Sequence, residues 1–140
     1  MALEYITRAA QDEGAKLIVL PEIWNGPYAT AAFAEYAEDL SNDLSLAPSA
    51  QLLQRLAQQH QVWIVGGSIP EVDNQNLYNT CLVFDPQGSL VAKHRKAHLF
   101  DIDVPGGVTF RESDTLSSGQ TMTAFDTGDE YFGWIGIGIW

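Results

Sequence analysis

An α/β fold, with helices packed on a mixed sheet, is what this 140-residue sequence predicts. Two short apolar runs suggest it first. Leu17-Ile18-Val19-Leu20 ends at Pro21, and Val62-Trp63-Ile64-Val65 ends at Gly66-Gly67. Runs of this length bounded by turn residues read as strands, the first of them buried and parallel. Stretches with apolar residues at helical spacing precede both. After Tyr78 the pattern becomes strand after strand, which makes the sheet mixed rather than purely parallel.

The elements follow in order. Ala2 to Glu13 reads as a helix with Leu3, Ile6 and Ala9-Ala10 on one stripe and Gly14 as its stop. Leu17 to Leu20 is the first strand. Thr30 is expected to cap a short helix carrying Phe33, Tyr36 and Ala37. The acidic patch from Glu35 to Asp43 reads as a solvated helix face and loop. A longer helix starts near Pro48, with Leu52, Leu53, Leu56 and Ala57 inward. Val62 to Val65 is the next strand. Tyr78 to Phe84 and Ser89 to Lys93 flank Asp85-Pro86-Gln87-Gly88, where Pro at the second and Gly at the fourth position suit a type I turn and a hairpin. A long polar connection is expected from Phe100 to Gln120, then strands at Thr121 to Asp126 and Tyr131 to Trp140. The stretch Phe132 to Trp140 reads as buried.

Composition narrows the function. An apolar share of 46% over 140 residues suits one globular domain at most. The net charge of −11, from 18 acidic and 7 basic residues, argues against nucleic acid or an anionic membrane as partner. Lys93-His94-Arg95-Lys96 is a local exception that suggests an anionic ligand or an internal ion-pair network. The single Cys81 cannot form an internal disulfide, which favours a reducing compartment. No apolar run approaches the ~18 residues of a membrane helix, and Glu4 and Arg8 break up any leader-like start. The expected location is the cytoplasm, with an organelle matrix as the alternative.

Glu22 follows the first strand at its carboxyl end, and Lys96 follows the strand ending at Lys93. Sheet ends of this kind hold the sites of α/β folds. A carboxylate can take a proton from a nucleophile while an ammonium stabilises the oxyanion that develops on an attacked carbonyl. The plainer alternative is an ion pair that fixes two loops.

The surrounding residues add a resemblance. Leu20-Pro21-Glu22 followed by Asn25-Gly26-Pro27-Tyr28 resembles the first catalytic motif of the nitrilase, or carbon–nitrogen hydrolase, superfamily, and Arg95-Lys96-Ala97-His98-Leu99-Phe100 resembles the second. The likeness extends through Gly66-Gly67-Ser68-Ile69-Pro70-Glu71, Leu77-Tyr78-Asn79-Thr80 and Thr109-Phe110-Arg111-Glu112-Ser113. His98 to Gly106 is most similar to the omega-amidase branch. The resemblance implies a single, partial domain over residues 1–140, part of an α-β-β-α four-layer sandwich with helices on one face of its sheet. It implies a Glu-Lys-Cys triad: Glu22 as general base, Lys96 as oxyanion stabiliser and proton donor, Glu112 as an orienting carboxylate. The implied substrates are small ω-amides of dicarboxylic keto acids, hydrolysed to acid and ammonia without metal or organic cofactor. A homo-oligomer, or association with an intact subunit, is also implied.

One departure matters for mechanism. Gly136-Ile137-Gly138-Ile139 is similar to the approach to the nucleophilic Cys, but Trp140 stands at the Cys position, and an indole cannot form an acyl intermediate. The expectation is an internal segment of such an enzyme, without its first strand and second half, inactive alone and prone to associate through unpaired strand edges. The rival is a non-catalytic fragment that binds a carboxylate or pairs with a full-length subunit. Cys81, inside a strand, reads as core rather than as a replacement nucleophile. His94 and His98 with Asp101 and Asp103 have zinc-like spacing, but in a segment leaving a strand the rings need not share a face. Gly66-Gly67 and Gly133 to Gly138 lack the spacing of phosphate loops. Trp24, Trp63 and Trp134 read as core or interface residues.

Overall fold

The sheet is organised around one long strand, and the reason is apolar alternation on both of its faces. The computed structural model describes residues 2–41 and 44–140. The elements are α1 (Ala2–Gln11), β1 (Leu17–Val19), α2 (Thr30–Tyr36), β2 (Glu38–Asp39), α3 (Pro48–His60), β3 (Trp63–Val65), β4 (Ile69–Asp73), β5 (Asn76–Phe84), β6 (Leu90–Arg95), β7 (Asp101–Asp103), β8 (Thr109–Arg111), β9 (Thr123–Asp126) and β10 (Trp134–Ile137). Single 3₁₀ turns lie at Leu44–Leu46 and Glu112–Asp114. β5 is the centre. β6 pairs antiparallel along one edge. Its other edge takes β4, antiparallel from Asn76 to Thr80, and then β3, antiparallel at Val83 and Phe84. β1 adds parallel to β3, and β2 parallel to β4. The result, over the described residues, is a six-stranded mixed sheet. β3 and β4 thus form one strand bent at Gly66-Gly67-Ser68.

Alternation along these strands gives the sheet two different faces. Ile18, Ile64, Ile69, Leu82 and Phe84 bury against Ile6 of α1 and Leu53, Leu56 and Ala57 of α3. Val65, Cys81 and Val83 point the other way, against Phe125 of β9 and Ile135 and Ile137 of β10. β9 and β10 pair antiparallel as a separate ribbon, and β7 and β8 form a small hairpin. The Asp85–Gly88 turn is as expected: Gly88 N–H donates to Asp85 C=O at 2.9 Å.

Several expectations need correction. Thr30 is not the cap of α2; Ala29 holds that position without a side-chain bond, and Thr30 is the first helical residue. Leu52 is only half-buried, and Ser49 and Ala50 lie inward instead. The acidic patch is not all solvated. Glu38 is buried in β2 and accepts the Ser49 N–H on both carboxylate oxygens at 3.0 Å, placing negative charge at the start of α3. Asn42 and Asp43, at the end of that patch, lie outside the described residues. The first apolar run is not buried throughout: Val19 is 57% exposed, at the end of β1, which is an edge strand of the sheet. β4 was not anticipated, since Pro70, Glu71 and Asp73 interrupt its apolar pattern. The hairpin β7–β8 lies in the stretch read as a connection, its arms three residues long with one apolar pair, Ile102 and Phe110. β10 is not a buried strand. It pairs only with β9 among the described residues, and Trp134 is 72% exposed, so Trp134 is no core residue.

Candidate active site

Glu22 is placed by the bend in the β3–β4 strand. Leu20 N–H still donates to Val65 C=O at 3.0 Å, extending β1 by one residue. Pro21 then ends the ladder, having no N–H. Ser68 grips the turn on both sides of Glu22: its N–H donates to Pro21 C=O at 3.2 Å, its Oγ accepts Ile23 N–H at 3.1 Å, and its C=O accepts Trp24 N–H at 3.3 Å. The Trp24 indole N–H adds a bond to Gly66 C=O at 2.7 Å. Gly67 has φ +58°, and a Cβ there would lie 2.0 Å from the Pro21 oxygen. Ile23, next to Glu22, has φ +49°, a costly region for a β-branched residue. Its side chain is buried with Phe33 and Leu116, which holds the strained turn.

Lys96 is placed by β6. Its N–H donates to Asn79 C=O at 2.8 Å, continuing the β5–β6 pairing, and its C=O accepts Gly119 N–H at 2.8 Å. A Cβ on Gly119 would lie 2.2 Å from the Arg95 oxygen, so this close approach needs glycine. Glu112 is placed by reciprocal bonds to Phe100: Glu112 N–H to Phe100 C=O at 3.1 Å, and Phe100 N–H to Glu112 Oε2 at 2.7 Å.

These three side chains meet. Lys96 Nζ lies 2.8 Å from Glu22 Oε1 and 3.0 Å from Glu112 Oε2. Lys96 and Glu112 are fully buried, while the Glu22 side chain is 29% exposed. Two residues to which the sequence reading gave no role complete the cluster. Asn79 Nδ2 donates to Glu22 Oε1 at 2.7 Å, and the Tyr28 hydroxyl donates to Glu112 Oε1. Burial, then the Glu112 bond and the charges of Glu112 and Glu22, hold the Tyr28 phenol well above its ordinary range. Tyr28 also stacks on Phe110 with ring centroids 5.7 Å apart. Both residues lie inside stretches that carry the family resemblance. A polar Asn79 inside an apolar strand was the available signal.

Glu22 borders a cleft of about 470 Å³, together with Val19, Ser68, Ile139 and Trp140. Trp140 is 96% exposed. Cys81 touches the same cleft but is 2% exposed, and burial pushes its thiol up to about 12. It is a core residue.

The basic cluster is an internal ion-pair network. Alternation sends Lys93 and Arg95 to the helix face, where both bond the buried Glu71. Lys93 Nζ pairs with Glu71 Oε1; Arg95 reaches both Glu71 oxygens, at 2.7 and 2.8 Å, and Asp73 at 2.7 Å. Thr80 Oγ1 adds a bond to Glu71 at 2.6 Å. The cluster therefore supplies no spare cation for a substrate carboxylate, contrary to one expectation. His94, on the other face, is buried against Thr123 Oγ1 at 3.0 Å, and burial holds it below its ordinary range. His98 is exposed, and Asp101 bonds Ser113. Among the described residues no group of three or more His, Cys, Asp or Glu is placed to hold a metal ion.

Comparison with known proteins identifies the family and the fold. The sequence profile of the Carbon-nitrogen hydrolase family matches residues 1–139. A protein named "Omega-amidase, chloroplastic" from Arabidopsis thaliana is 51% identical over 130 residues, covering 93% of this chain and 34% of its own length. "Omega-amidase NIT2-A" from Xenopus laevis is 48% identical, covering 99% of this chain and 47% of its own length. The crystal structure of Saccharomyces cerevisiae Nit3, a member of branch 10 of the nitrilase superfamily, superposes with a TM-score of 0.82 at 39% identity, covering 98% of this chain and 46% of that one. The chain thus spans less than half the length of these relatives. It belongs to the carbon–nitrogen hydrolase family.

Proposed function

We propose that this chain carries the acid–base half of an omega-amidase-type site. Glu22 is the general base, Lys96 the oxyanion stabiliser and proton donor, and Glu112 the carboxylate that orients Lys96. The observation that supports this most is the inequality of the two carboxylates on one buried ammonium. Glu112 spends Oε1 on Tyr28 and Lys96 and Oε2 on Phe100 and Lys96. Glu22 spends only Oε1, on Asn79 and Lys96, and its Oε2 takes no bond among the described residues. A general base needs an open lone pair facing the reactant, and Glu22 is the one that borders the cleft. An ammonium fixed beforehand between two carboxylates meets a developing oxyanion without reorganising.

The substrates of this proposal are small ω-amides of dicarboxylic keto acids, and its products are the acid and ammonia. The chemistry asks for no metal or organic cofactor. The nucleophile it requires is a thiol, and Trp140 stands where the resemblance puts that thiol. The chain as it stands is therefore proposed to be inactive alone: a single, partial domain that forms homo-oligomers or pairs with an intact subunit. The proposed location is the cytoplasm, with an organelle matrix as the alternative. No helix among the described residues is long and apolar enough to cross a membrane. A carboxylate-binding module is less favoured, because two carboxylates face one ammonium and leave the site net negative.

The test is Trp140→Cys. The new thiol should be alkylated by iodoacetamide at least about tenfold faster than in Trp140→Cys combined with Glu22→Gln, the modest end of what a positioned base provides. Peptide mapping separates it from Cys81, which should stay unmodified at pH 8. Equal rates in the two variants would remove Glu22 as the base.

A further inference from the structure

Asn79 ties together the two functional groups that the sheet delivers from different strands. It is fully buried in the middle of β5. Its backbone carbonyl accepts the Lys96 N–H at 2.8 Å, and its side-chain amide donates to Glu22 Oε1 at 2.7 Å. The same oxygen takes Lys96 Nζ at 2.8 Å. Asn79 Oδ1, although buried, has no hydrogen-bond partner among the described residues. Buried amides normally satisfy both ends. Here one end is left orphaned, and the other is spent on a single carboxylate oxygen. The orientation follows from that bond alone: turned over, the amide would set Oδ1 against Oε1, two acceptors with no proton between them.

Glu112 provides the comparison within the same cluster. It contacts Lys96 with both oxygens, at 3.2 and 3.0 Å, and has none left over. The terminal torsion of a glutamate is soft, so an unrestrained Glu22 could close on Lys96 in the same way. We propose that Asn79 is a positioning residue that prevents this. By occupying Oε1 beside Lys96 it fixes the rotation of the carboxylate and leaves Oε2 as the acceptor turned to the cleft. This role rests on the reading of Glu22 as the general base. Among the described residues, the charged and titratable groups around Glu22 are Lys96, Glu112 and Tyr28.

The test has two arms. In the first, ¹H–¹⁵N spectra of the asparagine side-chain amides are followed through an acid titration of the unaltered chain and of Glu22→Gln. The Asn79 resonances should move with one titration in the unaltered chain, and that movement should be lost in Glu22→Gln. An Asn79 signal that does not titrate, or titrates alike in both, overturns the proposal. In the second arm, propionamide binding is measured by chemical-shift titration. Asn79→Ala should weaken it about fivefold, the worth of one ordinary hydrogen bond, at a temperature where the variant is folded. Unchanged affinity would reduce Asn79 to a structural role and overturn the proposal. Absence of propionamide binding to the unaltered chain overturns the functional reading and the cleft-facing role with it. The first arm still reads the Asn79–Glu22 contact in that case.

Discussion

At the scale of single residues, Glu71 shows how this acidic chain affords a buried carboxylate. Burial pushes its carboxyl up, but the bonds from Arg95, Lys93 and Thr80 together outweigh burial and hold it below the ordinary value of 4.5. A carboxylate lowered in the fold binds protons more readily when unfolded, so it stabilises the fold above its unfolded value. That contribution falls away as pH drops below about 4.5 and through the lower folded value. Glu71→Gln should cost about 2–3 kcal/mol near neutral pH. This is less than the full cost of breaking a buried pair, because Lys93 and Arg95 are partly exposed and can turn to water. The gap between the melting temperatures of the two forms should narrow between pH 6 and pH 3; a constant gap would contradict the account. The resemblance gave roles to Glu22, Lys96 and Glu112, and Tyr28, Asn79 and Glu71 lie in stretches that carry the same resemblance. The sequence reading did not mark Tyr28, Asn79 or Glu71 as functional, because their meaning lies in partners 84, 57 and 24 residues away.

At the scale of elements, the critical piece is the bend at Gly66-Gly67-Ser68. Gly67→Ala places a methyl group against the Pro21 oxygen in a backbone conformation that already disfavours it. The loss should be at least about 2 kcal/mol by chemical denaturation, and Glu22 should be displaced with it. Gly14→Ala is the control: φ is also positive, at +67°, but nothing lies within 4 Å of the added Cβ. It should cost only the conformational term, about 1–2 kcal/mol. Equal losses at the two sites would mean that the bend does not rest on the Pro21 contact. The helices, the two parallel strands and the β5–β6 hairpin were legible, because apolar periodicity and turn residues act over a few neighbours. β4 was not, because its polar positions are satisfied by cations from β6. β2, β7 and β8 were too short for alternation to be visible. The burial expected for β10 failed because only the Ile135 and Ile137 side of the ribbon meets the sheet.

At the scale of the whole molecule, the fold brings residues 22, 79, 96 and 112 to one place, from four segments of sequence that share no local pattern. The family match and the Nit3 superposition extend over nearly the whole chain. The family resemblance was therefore readable from ordered motifs, and the geometry adds why the proposal takes Glu22 rather than Glu112 as the base. The most direct measurement is ammonia release by the purified chain incubated with a small ω-keto amide, with intact-mass detection of any acylated protein. The account predicts no turnover and no acyl adduct, since the proposal puts Trp140 at the position of the nucleophile. Sustained ammonia release that is abolished by Lys96→Ala, or a thioester trapped on this polypeptide, would contradict it.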